Sequence, residues 1–266
     1  MQARRLPGNR GAWWLLEGFR LFRRNPPFLT GLTLFYLIVV QGIAVLLPGI
    51  GPILLPLILP ALTLIVANGC RLLDEGKAPG KETLLLGLRG NGLAMLRLGG
   101  LQLVGAVLLV LLNTLLNGGV DPFTQVETTA PQNMGEGSAD PAAEAAVLSA
   151  LLQLMLLASP LIVAFWFAPF LTGWERIGPL KSVFFSLVGS WRNWRALSMF
   201  GLTAIIVAGL VPGALLILIS QISGMALSIA FVALRVLLIF LFAPVLTASI
   251  YISYRDIYHP AIDTNA

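Results

Sequence analysis

The stretch F-W-F-A-P-F-L-T at residues 165–172 returns as F-L-F-A-P-V-L-T at residues 240–247, 75 positions later. Six of the eight letters are identical. A weaker copy keeps only P-x-L-T, at Pro60, Leu62 and Thr63. Each copy lies in a long apolar segment, and a recurring motif of this kind is typical of chains built from structural repeats. The pattern therefore predicts an architecture in which one unit occurs three times.

The composition of the chain is that of an integral membrane protein. Of its 266 residues, 57% are hydrophobic and 11% are charged, whereas about 25% of a soluble domain is charged. The apolar residues form runs of about 20, which is enough to cross about 30 Å of hydrocarbon. We predict a single all-α membrane domain over residues 1–266 with six transmembrane helices. Their predicted bounds are 28–47, 53–73, 98–116, 148–174, 196–218 and 226–254.

The six predicted spans form three two-helix repeats. A short or amphipathic helix on the cytoplasmic side precedes each pair, and we place these helices at 11–24, 82–88 and 177–195. The second span of each pair carries P-x-L-T, so the pairs share one orientation and would be related by an axis along the membrane normal. Residues 117–140 are rich in Gly, Pro, Thr and Asn, and they are predicted to form an outer loop.

The distribution of basic residues predicts the orientation of the chain. The sequence has 17 Lys and Arg residues and a pI near 9.9. All of them except Arg235 lie before the first predicted span, at the end of the second or after it, or after the fourth or the sixth. Because positively charged loops remain in the cytoplasm, both termini are predicted to be cytoplasmic. The predicted partner is the phospholipid bilayer rather than nucleic acid. The sequence specifies neither a protein partner nor an oligomeric state.

Two of the helices that precede the spans have the residues of a membrane interface. Residues 11–24 place arginines at helical spacing on one face, with aromatic and aliphatic side chains around the rest. Two interpretations remain open for this helix: it lies among lipid headgroups, or it packs on the protein's own spans. In 177–195, a face of Ser and Gly opposes a face of Leu, Phe and Trp. The predicted interfacial anchors are Trp13, Trp14, Arg20, Arg23, Arg24, Trp191 and Trp194.

Four polar side chains within the spans are candidates for cavity or lipid contact. Arg235 breaks the charge rule, and a cation inside a span is costly. It lies 20 residues before Arg255, or about 30 Å of helix, which places it at the outer boundary if Arg255 marks the inner one. There it would reach lipid headgroups or an outer acid; the alternative is a binding role in a central cavity. Thr63, Thr172 and Thr247 either bond to carbonyls freed near the prolines or line a shared axial cavity.

The sequence contains no recognisable catalytic motif and no metal-ligand spacing. His259 is the only histidine and Cys70 the only cysteine, so no intrachain disulfide can form. None of the predicted spans carries Asp or Glu well inside its apolar stretch. We therefore expect a non-enzymatic protein that holds no cofactor and no metal.

The run from Phe165 to Arg195 resembles the signature stretch of a family of uncharacterised six-span proteobacterial inner-membrane proteins. The opening W-W-L-L-E-G-F-R-L-F-R-R-N-P, from Trp13, and the closing S-Y-R-D-I-Y, from Ser253, fit the same family. More distantly, the run resembles the membrane domain fused to some glycerophosphodiester phosphodiesterases. No part of this sequence resembles their catalytic domain, so their activity is not expected here. The resemblance implies a multi-pass protein of the bacterial inner (cytoplasmic) membrane and supplies no substrate.

Two classes of function are compatible with these features. The first is a lipid-associated or accessory role, in which the cytoplasmic-side helices contact headgroups or a partner. The alternative is a transporter or channel for small molecules or lipids, built on a pseudo-threefold helix bundle. A water-filled axial cavity lined by the repeated threonines or by Arg235 would favour transport, and a closed axis would favour the accessory role.

Overall fold

The computed structural model describes residues 3–78, 80–117, 141–220 and 224–259. These residues are predominantly helical, and no strand occurs among them. Six of their helices are long and apolar enough to cross a membrane. These six candidate spans are Pro26–Leu46, Gly51–Asp74, Gly92–Leu116, Leu152–Gly173, Trp194–Ile219 and Leu227–Tyr258.

We number the helical segments in chain order, with two short π-helical segments named separately. Nearly all of the predicted outer loop, 118–140, lies outside the described residues. The elements are α1 Arg10–Phe22, α2 Pro26–Leu46, α3 Gly51–Asp74, α4 Lys81–Leu84, α5 Gly92–Leu116, α6 Pro141–Phe165, α7 Ala168–Gly173, α8 Pro179–Arg192, α9 Trp194–Ile205, π1 Ile206–Leu210, α10 Val211–Ser220, α11 Gly224–Leu237, π2 Leu238–Phe242 and α12 Ala243–Tyr258.

The repeated motif interrupts two of the spans. Helix α6 ends at Phe165, and a bend at 166–167 separates it from α7. In the later copy of the motif, the π-helical segment π2 immediately precedes α12. Both irregularities stand directly before Ala-Pro, because proline lacks an N–H and its ring clashes with the carbonyl four residues earlier. The weak copy behaves differently, since α3 continues through Pro60.

Neighbouring helices supply the hydrogen bonds that the two interrupted spans need. The hydroxyl of Ser186, on α8, accepts from the N–H of Phe167 at 2.9 Å and donates to the carbonyl of Val163 at 3.2 Å. In a regular helix that N–H and that carbonyl would bond to each other, so the hydroxyl is inserted into the ladder. At the later copy, Thr30 donates to the carbonyl of Phe240 at 3.1 Å. That carbonyl is the one that loses its donor to Pro244.

Replacement of Ser186 by alanine should destabilise the protein. Ser186 is fully buried, and its removal leaves the N–H of Phe167 unsatisfied, which costs about 1–3 kcal/mol. Thermal unfolding in detergent should show a lower melting temperature. Ser159→Ala is the matched control, because the hydroxyl of Ser159 is exposed and bonds only to its own helix, at the carbonyl of Leu156. Equal melting of the two variants would contradict this role for Ser186.

The well-packed core is concentrated at one end of the bundle, which we call the terminal end because both described ends of the chain meet there. The N–H of Arg4 donates to the carbonyl of Ile257 at 2.9 Å. The side-chain amide of Asn193 bonds to the backbone of Arg4 and Leu6. Away from this end the apolar side chains are largely exposed, as in the span Trp194–Ile219. The largest fully buried side chains include Trp14, Leu64, Leu98, Phe167, Phe170, Leu171, Tyr254 and Ile257.

Helix α1 is part of this core. It packs on α9 and α12 through glycines. A Cβ atom added at Gly11 would lie 2.7 Å from the backbone nitrogen of Phe200, and one at Gly18 would lie 2.8 Å from that of Ser249. One face of α1 therefore packs on the protein's own spans, as one of the two interpretations of the sequence held. The opposite face, which carries Trp13, is exposed.

Candidate functional site

A polar cleft of about 410 Å³ opens at the terminal end. Three segments form it: the end of α3, the residues after α7, and the last turns of α12. Each of these segments follows one copy of the P-x-L-T motif. The residues that line the cleft are Arg71, Asp74, Glu75, Trp174, Glu175, Tyr251, Tyr254, Arg255 and His259.

The floor of the cleft is an ion-pair network centred on Asp74. This carboxylate accepts from Nη1 of Arg255 at 2.8 Å and from the hydroxyl of Tyr251 at 3.1 Å. Arg255 also donates through Nη2 to Glu17 of α1 at 3.2 Å. The network therefore ties α3, α12 and α1 together with charges that are only partly accessible to solvent.

A second carboxylate, Asp256 of α12, connects that helix to α1. It accepts from Nε of Arg10 at 2.7 Å and from the indole nitrogen of Trp14 at 3.0 Å. The prediction that Trp14 is an interfacial anchor is wrong, because its ring is 0% exposed and its only polar atom is bonded to Asp256. The charge pattern of the sequence did not reveal the contacts of Asp256 with Arg10 and Trp14, since these residues lie more than 240 positions away in sequence.

Trp174 forms one wall of the cleft. Its indole nitrogen donates to the buried side chain of Asn68 at 2.7 Å, and the guanidinium carbon of Arg71 lies 5.3 Å from its ring centre. Arg71 donates through Nε to Glu75 at 2.8 Å, and Lys77 donates to the other oxygen of Glu75 at 2.6 Å. These hydrogen bonds, with that of Lys77 the larger influence, lower the pKa of the Glu75 carboxyl from its ordinary value. Glu75 is therefore ionised at neutral pH.

Glu175 and His259 also line the cleft. Nε2 of His259 lies 2.7 Å from Oε1 of Glu175, and the hydroxyl of Tyr254 donates to the same oxygen at 3.3 Å. Sequence reasoning assigned no role to His259, the only histidine, whereas the structure brings it into the cleft. The available signal was the closing run from Ser253 to Tyr258, which resembles the family pattern and leads directly to His259.

The four polar side chains predicted within the spans do not line this cleft. Thr247 donates to the carbonyl of Pro244 at 2.9 Å, and Thr63 lies beside the side chain of Tyr36. Thr172 is fully buried, and its hydroxyl has no hydrogen-bond partner among the described residues. Arg235 is exposed on α11.

The other predicted anchors lie at the surface. Trp13, Trp191 and Trp194 are exposed, as are Arg20, Arg23 and Arg24. Arg24 also donates to the carbonyl of Leu73 at 3.0 Å, which ties it to the end of α3.

Helix α8 buries a polar face and exposes an apolar one, which is the reverse of a helix in a soluble protein. Its buried face is polar and carries Ser182, Ser186 and Ser190, whereas its apolar face points outward. Leu180 is 72% exposed, Phe184 60% and Trp191 76%. A helix of a soluble protein turns its apolar stripe inward, so the outward face of α8 is one that a soluble protein would bury.

An apolar groove of about 290 Å³ lies between α1 and the last two spans. Leu16 and Phe19 of α1 form one side, and the two π-helical segments, through Val207 and Leu238, form part of the other. None of the repeated threonines lines this groove.

Comparison with known proteins identifies one relative with substantial coverage. A probable inner membrane protein of Burkholderia thailandensis is 32% identical over 207 residues, which cover 76% of this chain and 74% of that protein. No family model and no solved structure matches the chain. The six apolar helices agree with the membrane location of that relative. The chain belongs to the family of this probable inner membrane protein.

Proposed function

We propose that this protein is a non-enzymatic, lipid-associated or accessory protein of the bacterial inner membrane, with both termini in the cytoplasm. The observation that carries the proposal is the outward apolar face of α8, formed by Leu180, Phe184 and Trp191. A helix of this kind is stable where its apolar face enters the boundary between headgroups and acyl chains. The terminal end of the bundle would then lie in the cytoplasmic headgroup layer.

The charges around α8 support the same placement. Lys181, Arg192 and Arg195 are exposed on or next to this helix. Each basic residue near an anionic leaflet contributes about 1 kcal/mol of attraction. The exposed face of α1 adds Arg20 and Arg23 beside Phe19. Both terminal-end helices thus combine apolar and basic side chains, the combination that suits anionic lipid.

The threefold repeat is part of the proposal. The three segments that line the cleft each follow one P-x-L-T copy, and this favours a common arrangement of the three second spans around one axis. The non-enzymatic character is proposed because the sequence carries no recognisable catalytic motif.

Transport through the bundle is the alternative. It requires an axial cavity lined by the repeated threonines or by Arg235. The cleft and the groove described above contain none of these four side chains. Thr172 is fully buried in the packed core. These observations favour the lipid-associated role over a channel.

The placement of α8 can be tested by spin labelling in liposomes that contain anionic lipid. Phe184→Cys is labelled in a Cys70→Ala background, with Lys77→Cys as the control in an exposed polar loop. We expect the label at 184 to collide more often with oxygen, which concentrates in lipid, than with a water-soluble nickel reagent. The control should show the reverse. Equal water exposure at the two positions would refute the proposal.

A further inference from the structure

The cleft contains a guanidinium group with free bonding capacity. Arg71 bonds to Glu75 only through Nε, and its two terminal nitrogens have no polar partner within the described ranges of the chain. Its guanidinium carbon lies 5.3 Å from the ring centre of Trp174, within cation–π distance. A guanidinium held in this way presents a fork of donors that matches the oxygens of a phosphate.

A carboxylate with a free oxygen lies beside the same tryptophan. Glu175 follows Trp174 in sequence, and its Oε1 is taken by His259 and Tyr254. Its second oxygen has no partner among the residues that the structure describes. Trp174 is partly exposed beside this carboxylate, whereas the ring of Tyr254, whose hydroxyl bonds to Glu175, is buried. An ammonium group is attracted both to an accessible aromatic ring and to a carboxylate.

We propose that the cleft binds a phosphoethanolamine group, with its phosphate on Arg71 and its ammonium on Glu175 beside Trp174. The cleft volume of about 410 Å³ falls within the range of roughly 300–1,000 Å³ that small ligands occupy. A group with both charges leaves the cleft without an unpaired charge. The choice of phosphate over carboxylate rests on the proposed lipid-associated function, since phosphate is the anion of the headgroup layer. The group reaches the cleft either as a lipid headgroup or as a free solute.

The chemistry of the site is tested by calorimetric titration of the full chain in detergent. The probes are O-phosphoethanolamine, inorganic phosphate, ethanolamine and glycine. We expect O-phosphoethanolamine to bind at least tenfold more tightly than each of the other three. No binding, or equally tight binding of phosphate alone or of glycine, would overturn the proposal.

Substitutions test whether Arg71 binds the phosphate and Glu175 binds the ammonium group. Arg71→Gln and Glu175→Gln should each weaken binding of O-phosphoethanolamine at least tenfold, and Arg71→Lys should weaken it as well because lysine lacks the fork. Arg89→Gln is the control, since Arg89 is an exposed cation paired with Glu82 outside the cleft. Near-ultraviolet circular dichroism verifies the fold of each variant. Unchanged binding in the folded Glu175→Gln or Arg71→Lys variant would overturn the assignment.

Nanodiscs distinguish the two sources of the group. If the headgroup is the ligand, discs that contain phosphatidylethanolamine should weaken the apparent binding of O-phosphoethanolamine relative to discs of phosphatidylglycerol alone. Equal binding in the two discs identifies a free solute, and the chemistry of the site stands in both cases. The spin-label experiment on α8 uses a different surface, so its failure and the failure of the titration are separate results.

Discussion

Replacement of Gly99 by alanine should lower the melting temperature sharply, whereas the same change at the next residue, Gly100, should not. A Cβ atom at position 99 would lie 2.6 Å from the Cα of Leu57 and 2.8 Å from its carbonyl carbon. These are backbone atoms of α3, so the helices α3 and α5 must separate. Overpacking of this kind costs about 1–3 kcal/mol. The close approach of two spans through a glycine is also what holds helices together within lipid.

The control lies in the same helix and makes the comparison direct. A Cβ atom at Gly100 meets nothing within 4 Å. Alanine there gains helix propensity, about 1 kcal/mol over glycine in soluble helices. Thermal unfolding of both variants in the same detergent, followed by tryptophan fluorescence, gives the measurement. If Gly99→Ala melts at or above Gly100→Ala, the described contact between α3 and α5 is incorrect.

Replacement of Asp256 by alanine is expected to have the other large effect. This carboxylate is 11% exposed and is bonded to Arg10 and Trp14 of α1. Its removal leaves a partly buried guanidinium and a buried indole N–H without their partner. Breaking a buried pair by removing one member costs about 3–5 kcal/mol. Because Arg10 is itself partly exposed, we expect a smaller loss of about 2–3 kcal/mol, below that range.

The matching control is an ion pair at the surface. Glu82 pairs with Arg89 at 3.2 Å, and both side chains are exposed. Glu82→Ala should therefore change the stability by less than about 1 kcal/mol. Thermal unfolding of both variants in detergent, at low and at high salt concentration, measures the two losses of stability. Similar losses in the two variants would show that Asp256 does not hold α1 in place.

The regular part of the fold was predictable because it depends on composition along the chain. Runs of apolar residues predict six long helices, and six are present among the described residues. The sequence also indicated disruption at the prolines, since the missing N–H is a local property. It suggested the repeated threonines as groups that bond to the freed carbonyls, but Thr247 bonds to the carbonyl of Pro244 itself and Thr172 has no partner among the described residues. The groups that repair the disruption are Ser186 and Thr30, from other helices, and nothing in their local sequence marks them.

The cleft was not predictable for a related reason. Charges near the ends of spans indicate the orientation of the chain in the membrane. An interpretation based on them considers each charge by itself and not its partner. The structure pairs Arg255 with Asp74 and Glu17, across 181 and 238 positions of sequence. The error at Trp14 has the same origin, because an aromatic residue beside arginines has the same local pattern whether it faces lipid or a distant carboxylate.

The packing of α1 has a consequence for biosynthesis. Its buried face rests on α9 and α12, and the carboxylate that receives Trp14 is residue 256. The ribosome therefore makes this helix more than 200 residues before its last neighbour, α12, exists. At about 5–20 residues per second, that interval is on the order of tens of seconds. During synthesis the helix must wait at the membrane surface, where its exposed tryptophan and glycine face is open to chaperones and to premature association with other nascent chains.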